Sequence, residues 1–309
     1  MTYAIEVSNL KKHFGTIEAV KGIHFQVKKG SLFAFLGSNG AGKSTTIEIL
    51  CTLLEKTSGE VTINGHRLGT MKDNERIRKS IGIVFQQSLL DKELTVKENI
   101  IHRGRFYHLT KAQLIENYQF VWQYLKLGEI ELKKYGQLSG GQRRRADIAR
   151  AIIHKPSILF LDEPTTGLDP HTRKFVWETI ERLRKEIGMT IFLTTHYMEE
   201  AANADQIVII KKGEIIAQGT PNELKERFAS DQMVLSFKKE ADIQQIAEQL
   251  GYVMVQFGDV YKVNIPSTLH AIPIIERIQP FLTSFEVIKG SIDQVFIHIN
   301  EEAGDMNAT

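Results

Sequence analysis

Apolar and polar positions change their period several times along the chain, and each change marks an element. Residues 3–7 and 23–27 alternate, which predicts two paired strands around a turn. Residues 32–36, Leu-Phe-Ala-Phe-Leu, are apolar throughout, as a strand covered on both faces is. The pattern then predicts a helix over 45–54, a hairpin over 59–65 with Asn64-Gly65 as its turn, and a strand over 81–85. From 94 to about 127 the period becomes helical. Ile100, Ile101, Phe106 and Leu109 interleave with Glu98, Asn99, His102 and Arg105. Leu114, Ile115, Tyr118, Val121, Trp122 and Leu125 then recur at three and four residues, a stripe that reads as a small helical core. A basic helix is predicted over 143–153, a strand over 157–161, a helix over 173–187 and strands over 190–194, 207–210 and 214–217. Strands alternating with helices of this length imply an α/β fold with a mostly parallel sheet covered on both faces.

Near 227–231 the pattern restarts. Strand 233–237, helix 241–250, a hairpin of 252–257 with 261–265 about Gly258-Asp259, helix 269–278, strand 285–288 and a closing helix 292–299 follow in the order βαββαβ. That order predicts a small α+β, ferredoxin-like module. The expected organisation is a first domain over 1–228 with a helical insertion at about 88–155, an accessory module over 231–300, and a polar, disordered tail over 301–309. No internal repeat and no low-complexity tract interrupts it.

Composition narrows the class. With 42% hydrophobic and 25% charged residues the chain reads as a globular protein, and 309 residues suffice for one large domain and one small one. A formal net charge of +2 is too small to make nucleic acid or an anionic membrane the main partner. No charged-then-apolar leader opens the chain, and no run of about 18 apolar residues occurs, so no membrane span is expected. The one cysteine, Cys51, falls after the strand 32–36 on an apolar helix face and reads as a core residue of a reducing compartment, not as a nucleophile or ligand.

Chemistry concentrates just after that strand. Gly37, Ser38, Asn39, Gly40, Ala41, Gly42, Lys43, Ser44 and Thr45 fit G-x-x-x-x-G-K-[ST], the phosphate-binding P-loop. Its glycines let backbone N–H groups turn inward towards a phosphate chain, and the helix that follows aims its N-terminal dipole at the anion. Lys43 places a point charge near the β- and γ-phosphates, and Ser44 offers a hydroxyl to Mg²⁺. Asp162 and Glu163 end an apolar strand, the Walker B pattern: the first helps hold Mg²⁺, and the second can polarise a water for attack on the γ-phosphate. His196 ends the next strand, within reach of the same phosphate. Ser139, Gly140 and Gly141 put a hydroxyl and bare amides at a helix N-terminus, a second anion site. Phe14, beside Gly15, is open to two readings on the residues alone: core packing, or stacking on a nucleobase.

The order Gly37–Thr45, Gln86, Leu138-Ser-Gly-Gly-Gln142, Asp162-Glu163, Gly167-Leu168-Asp169, His196 closely resembles the nucleotide-binding subunit of an ATP-binding cassette transporter, over about residues 4–220. The resemblance implies a P-loop NTPase core with a β-subdomain and an inserted helical subdomain. It implies ATP and Mg²⁺, with Ser44, Gln86 and Asp162 at the metal. Phe14 would be the adenine-stacking position, where the family often has Tyr. Gln86, in preference to Gln87 because it directly follows the strand end, would be the Q-loop residue. Glu163 would be the general base, Asp169 the D-loop aspartate and His196 the switch histidine. In the family Ser139, Gly140, Gly141 and Gln142 face the P-loop of another subunit, so one P-loop and one signature per chain imply a dimer of two copies.

Residues 194–201, Leu168-Asp-Pro170 and the C-terminal module look like the drug-resistance branch of ABC-2-type exporters. That branch implies a bacterial ATPase on the inner face of the cell membrane, bolted to a separate permease that passes a drug-like or lipid-like cargo. An importer ATPase would differ in needing a substrate-binding protein. A soluble cassette ATPase acting on nucleic acid or ribosomes would tend to carry coiled-coil insertions, zinc-binding cysteines or two cassettes, and none is present here.

Overall fold

The computed structural model describes residues 2–305. It divides into two compact units, one running to Gln218 and the other beginning at Gly219.

The first unit holds two sheets. Six strands make the central one, in the order Glu214–Gly219, Gln206–Lys211, Leu32–Leu36, Thr190–Thr195, Ile158–Asp162, Ile81–Val84. Leu32–Leu36 pairs in parallel with Thr190–Thr195 and Gln206–Lys211, and Ile158–Asp162 pairs in parallel with both Thr190–Thr195 and Ile81–Val84. The register sets Leu36 beside Thr195 and Asp162 beside Thr194, so the carboxyl ends of these strands lie level. All five residues of Leu32–Leu36 are buried, as the unbroken apolar run predicts. The second sheet is antiparallel, ordered Ile17–Lys28, Tyr3–Phe14, Ser58–Ile63, His66–Arg67. Its last turn is Asn64-Gly65, both with positive φ, 50° and 79°, as a tight hairpin of this twist requires.

Aromatic rings join the two sheets. Phe25 of the antiparallel sheet stacks on Phe33 at 5.3 Å between centroids and lies 5.6 Å from Phe35 and 6.1 Å from Phe192. Phe160 lies 5.2 Å from Phe192 on the far side. The tilted and offset geometries are those that ring quadrupoles favour. Cys51, in contact with this core, caps the carboxyl end of the helix Lys43–Leu50 and is buried. Burial, with Asp162 and Glu48 adding, pushes its thiol well above the ordinary range.

The helical insertion contains Val96–Arg105, Lys111–Tyr124 and Gly140–Ile152. Each begins with a capping box, Thr95 with Glu98, Thr110 with Gln113 and Ser139 with Gln142. The aromatic stripe splits: Tyr118 is buried, whereas Trp122 is partly exposed and lays its ring against Gly128. Among the described residues, the helices Met71–Ser80, Met198–Ala201 and Pro221–Phe228 escape the sequence pattern. Met71–Ser80 buries only Ile77, so it has no apolar stripe to detect, and its start is set by the Thr70 cap on the Asp73 N–H. Pro221–Phe228 buries only Leu224 and starts at a Thr220–Glu223 capping box.

The second unit is a four-stranded antiparallel sheet in the order Met254–Phe257, Val260–Ile265, Asp231–Phe237, Leu282–Ile288, with helices Ile243–Leu250 and Ala271–Ile278 between strands. That is the ferredoxin-like topology read from the sequence. Met233, Leu235, Val263 and Ile265 pack on Ile246, Ile274 and Ile278. The unit begins about ten residues before the break in the pattern at 228–231, because Pro221–Phe228 packs on the closing helix Ile292–Asp305, with the Phe228 and His298 rings 6.5 Å apart. That helix also corrects the expectation of a disordered tail over 301–305: the Glu-Glu-Ala run continues the turn, as good helix formers do. Residues 306–309 lie outside the described residues.

One partly buried imidazole is expected to make the first unit sensitive to acid. His154 stacks on Tyr107 at 3.7 Å between ring centroids, its Nε2 meets the Ile81 carbonyl at 2.9 Å, and its Nδ1 has no partner. Burial, with Arg103 and Arg150 nearby and the Ile81 carbonyl opposing, pushes the imidazole down to about 4 from 6.5. Between those values the unfolded chain binds a proton that the folded chain does not, so stability falls as pH falls through this window. Urea unfolding at pH 7 and pH 4.5 should show His154→Gln losing less stability on acidification than the parent, by about 1–3 kcal/mol. Equal losses in the two proteins would remove His154 from the acid transition.

Candidate functional site

The level strand ends create an open cavity of about 460 Å³, lined by the P-loop residues Asn39, Gly40, Gly42, Lys43, Ser44 and Thr45 and by Gln86, Glu163, Thr166, His196 and Ala19. The loop that enters it is fixed by its glycines. A Cβ on Gly37 would lie 2.5 Å from the Ile210 carbonyl, and one on Gly42, at φ 108°, would lie 2.7 Å from the Ala19 carbonyl. Both contacts are with backbone, so no other residue fits. The Ala41 carbonyl accepts from the Gly213 N–H at 2.9 Å, which ties the loop to the turn after Gln206–Lys211. Lys43 is buried and donates to the carbonyls of Gly37 at 2.7 Å and Ser38 at 3.1 Å. Burial lowers its ammonium from the ordinary lysine value, while Glu163 and Asp162 oppose the shift.

Asp162 ends its strand partly buried. Its Oδ1 accepts from the Thr194 hydroxyl at 2.5 Å, which fixes the rotation of the carboxylate. Burial raises its pKa, with the Thr194 bond, Lys43 and Arg144 opposing and Glu163 adding. Glu163 follows in the left-handed region, at φ 45°, a strained conformation for a residue with a side chain. Its N–H is bonded to the Thr194 carbonyl at 3.0 Å, and this bend turns the side chain into the cavity. There the carboxylate accepts from Gln86 Nε2 at 3.1 Å and Thr166 Oγ1 at 3.3 Å, and meets His196 Nδ1 at 3.1 Å. A carboxylate gathered by three polar groups, with 11% of its side chain exposed, can accept a proton from a water in the cavity.

Of the residues singled out in the sequence, the structure brings Asn39, Gly40, Gly42, Lys43, Ser44, Thr45, Gln86, Glu163 and His196 together on the cavity, with Asp162 held beside them by Thr194; Gly37, Ser38 and Ala41 are not among its lining residues. Gln86, not Gln87, lines the cavity. Phe14 stands 48% exposed at the end of its strand with Lys12 Nζ 4.8 Å from its ring, so the core-packing reading does not hold. Thr194, Thr166, Ala19 and Arg144 are site residues that the sequence reading passed over. The signal for Thr194 is a polar pair, Thr194-Thr195, both fully buried at the end of an apolar run. Arg144, by contrast, looks like one of three surface arginines, yet it is buried and donates to the carbonyls of Phe85 at 2.7 Å and Asp162 at 3.4 Å.

Ser139, Gly140, Gly141, Gln142 and Asp169 do not line the cavity. They form a second surface in which Ser139 and Asp169 each cap a helix. The Thr172 N–H donates to Asp169 Oδ1 at 3.0 Å and its hydroxyl to Oδ2 at 2.6 Å, which hold the Asp169 carboxyl below its usual range. Ser139 and Gly140 are exposed at the start of Gly140–Ile152, where helix N–H groups and dipole favour an anion. The two glycines differ. A Cβ on Gly140 would meet nothing closer than 3.9 Å, whereas one on Gly141 would lie 2.6 Å from both branches of Thr172.

The family model described as ABC transporter matches residues 20–166. The linearmycin resistance ATP-binding protein LnrL of Bacillus subtilis (strain 168) is 41% identical over 231 residues, 74% of this chain and 73% of that protein. The daunorubicin/doxorubicin resistance ATP-binding protein DrrA of Streptomyces peucetius is 35% identical and covers 100% of this chain and 96% of its own length. Among solved structures, the dimeric ATP-binding cassette MJ0796 bound to ADP and Pi is 30% identical, with a TM-score of 0.64 over 70% of this chain and 98% of that one.

The contrast between the two glycines is measurable by urea unfolding. Gly141→Ala should lower stability by about 1–3 kcal/mol through the clash with the stiff, hydrogen-bonded Thr172. Gly140→Ala, facing open space, should change it by less than about 0.5 kcal/mol. A Gly141→Ala protein as stable as the parent would show that Thr172 yields and that packing does not fix this glycine.

Proposed function

The chain belongs to the ABC transporter family, and from that membership we propose that it is the ATP-hydrolysing subunit that drives export of a drug-like or lipid-like cargo through a separate membrane permease. The observation that carries the reading is the convergence of Lys43, Ser44, Gln86, Glu163 and His196 on one cavity at the ends of parallel strands. P-loop amides and Lys43 bind the phosphates, and the exposed Phe14 ring stacks on the base. Glu163 takes the proton of the attacking water. His196, 3.1 Å from Glu163, orients that carboxylate and reaches the γ-phosphate.

The donor set suits Mg²⁺. Ser44 offers a hydroxyl in the cavity, Asp162 a carboxylate held by Thr194, and Gln86 an amide oxygen at the rim. These are hard oxygen ligands, few enough to leave room for phosphate oxygens and water. A bound Mg²⁺ would neutralise charge between the β- and γ-phosphates.

Two partners complete the reading. The signature surface lies outside the cavity that its own chain forms, which supports a sandwich in which Ser139, Gly140 and Gly141 of one copy close on the P-loop of another. For the permease, Leu89, Phe106 and Tyr107 line a cavity of about 430 Å³ shortly after Gln86 in the chain, and Phe106 is exposed. No helix among the described residues is long and apolar enough to cross a membrane. The permease is then what holds this subunit at the inner face.

Glu163→Gln should bind MgATP as the parent does and hydrolyse it about 10²–10⁴-fold more slowly in single turnover, because an amide cannot take the proton. A rate near that of the parent would remove Glu163 from the role. The sandwich is tested by mixing a Lys43→Ala chain with a Ser139→Arg chain. Each alone places one lesion in every site. The mixed dimer places both lesions in one site and leaves the other whole, so ATPase activity should reappear in the mixture once subunit exchange is verified by cross-linking. Exchange without recovered activity would count against a site shared in this way.

A further inference from the structure

Three charged residues on successive turns of the helix Gly140–Ile152 are buried, and each is bonded to the segment that leads into and out of Gln86. Arg150 Nη2 donates to the Ile83 carbonyl at 2.5 Å, and Arg144 Nη1 to the Phe85 carbonyl at 2.7 Å. Between them on the same face, Asp147 Oδ1 accepts from the Ser88 hydroxyl at 2.5 Å. The Tyr135 hydroxyl donates to the same carboxylate, 3.3 Å from Oδ1 and 3.4 Å from Oδ2. The Leu90 N–H in turn donates to Ser88 Oγ at 3.2 Å. The two arginine bonds hold backbone that already belongs to, or directly follows, a strand. The Ser88–Asp147 bond is different: it grips the loop past Gln86, where the chain has left the sheet.

Ser88 lies two residues from Gln86, whose amide donates to Glu163. Asp147 lies eight residues along the helix from Ser139, at the end that carries the exposed signature amides. A loop held at Gln86 by one site and at Ser88 by the helix that serves the other cannot shift at one end alone.

We propose that Ser88 and Asp147 form a latch that passes the position of Gln86 to the signature helix, so that the state of one nucleotide site sets the closure of the other. Both are positioning residues; neither touches the reacting atoms. This rests on the two-copy reading above. Asp147 is suited to the task because it accepts from Ser88 and Tyr135 together; burial raises its carboxyl, and the Ser88 bond and the charges of Arg144 and Arg150 oppose part of that rise. An acceptor of this kind holds a hydroxyl more tightly than a neutral one.

The test uses the full chain. Ser88→Ala removes one hydroxyl, part-buried against Asp147, and leaves the Tyr135 bond on that carboxylate, so the chain should still fold with MgATP affinity unchanged, and kcat should fall about five- to tenfold. Ser88→Thr, which keeps the hydroxyl, should restore most of the rate. Asp147→Asn should lower kcat to a similar degree, and adding Ser88→Ala to it should lower kcat no further. Losses that multiply, or a kcat unchanged in Ser88→Ala, would overturn the latch. The mixed dimer of Lys43→Ala and Ser139→Arg chains then locates its action. Ser88→Ala should slow the one whole site when it is carried by the Lys43→Ala chain, which supplies only the signature. A loss seen only when the Ser139→Arg chain carries it would confine Ser88 to its own site and overturn the proposal. A parent mixture that is silent despite verified exchange counts against the shared site instead, and the homodimer cycle still decides whether Ser88 and Asp147 act as one.

Discussion

The parallel register of the central sheet is the constraint on which the site depends. Leu36 beside Thr195 and Asp162 beside Thr194 bring a phosphate loop, a pair of carboxylates and a histidine to the same height at the ends of three strands. A slip of one residue would turn alternate side chains to the opposite face and separate Asp162 from Thr194. The register is held from below by the phenylalanine cluster, in which Phe33, Phe35, Phe160 and Phe192 come from three strands of that sheet and Phe25 from the other. Ring packing of this density leaves little freedom for a strand to slide.

Against that rigid frame, the seam between sheet and helical insertion is built from charge. Arg144, Asp147 and Arg150 are buried on one face of the signature helix, and burial lowers both guanidinium groups while it raises the carboxyl. Such groups add little net stability, because desolvation offsets most of what their bonds return. What they supply is direction, since each bond joins one atom of the helix to one atom of the chain around Gln86.

Much of this was legible in the sequence. A run such as Leu32–Leu36 announces a doubly covered strand, and the P-loop, the carboxylate pair and the signature follow from residue types at fixed spacing. The βαββαβ order of the second unit gave its sheet order as well. What stayed hidden was set by partners far away in sequence. Met71–Ser80 has a cap but only one buried residue, so no period betrays it. Arg144 and Asp147 read as the polar surface of a basic helix, because nothing local reveals that strand-end carbonyls and a serine 59 residues earlier will bond them. For Phe14 it is the exposure of the ring, invisible in the sequence, that removes the core-packing reading.

Cys51, sealed in the core with its thiol held well above the ordinary range, presents almost no thiolate to a reagent in neutral solution. It is the only cysteine in the chain. The unaltered protein is therefore already a silent background for site-directed labelling: a fluorophore or spin probe attached through a single introduced surface cysteine reports from that position alone, without first disturbing the core.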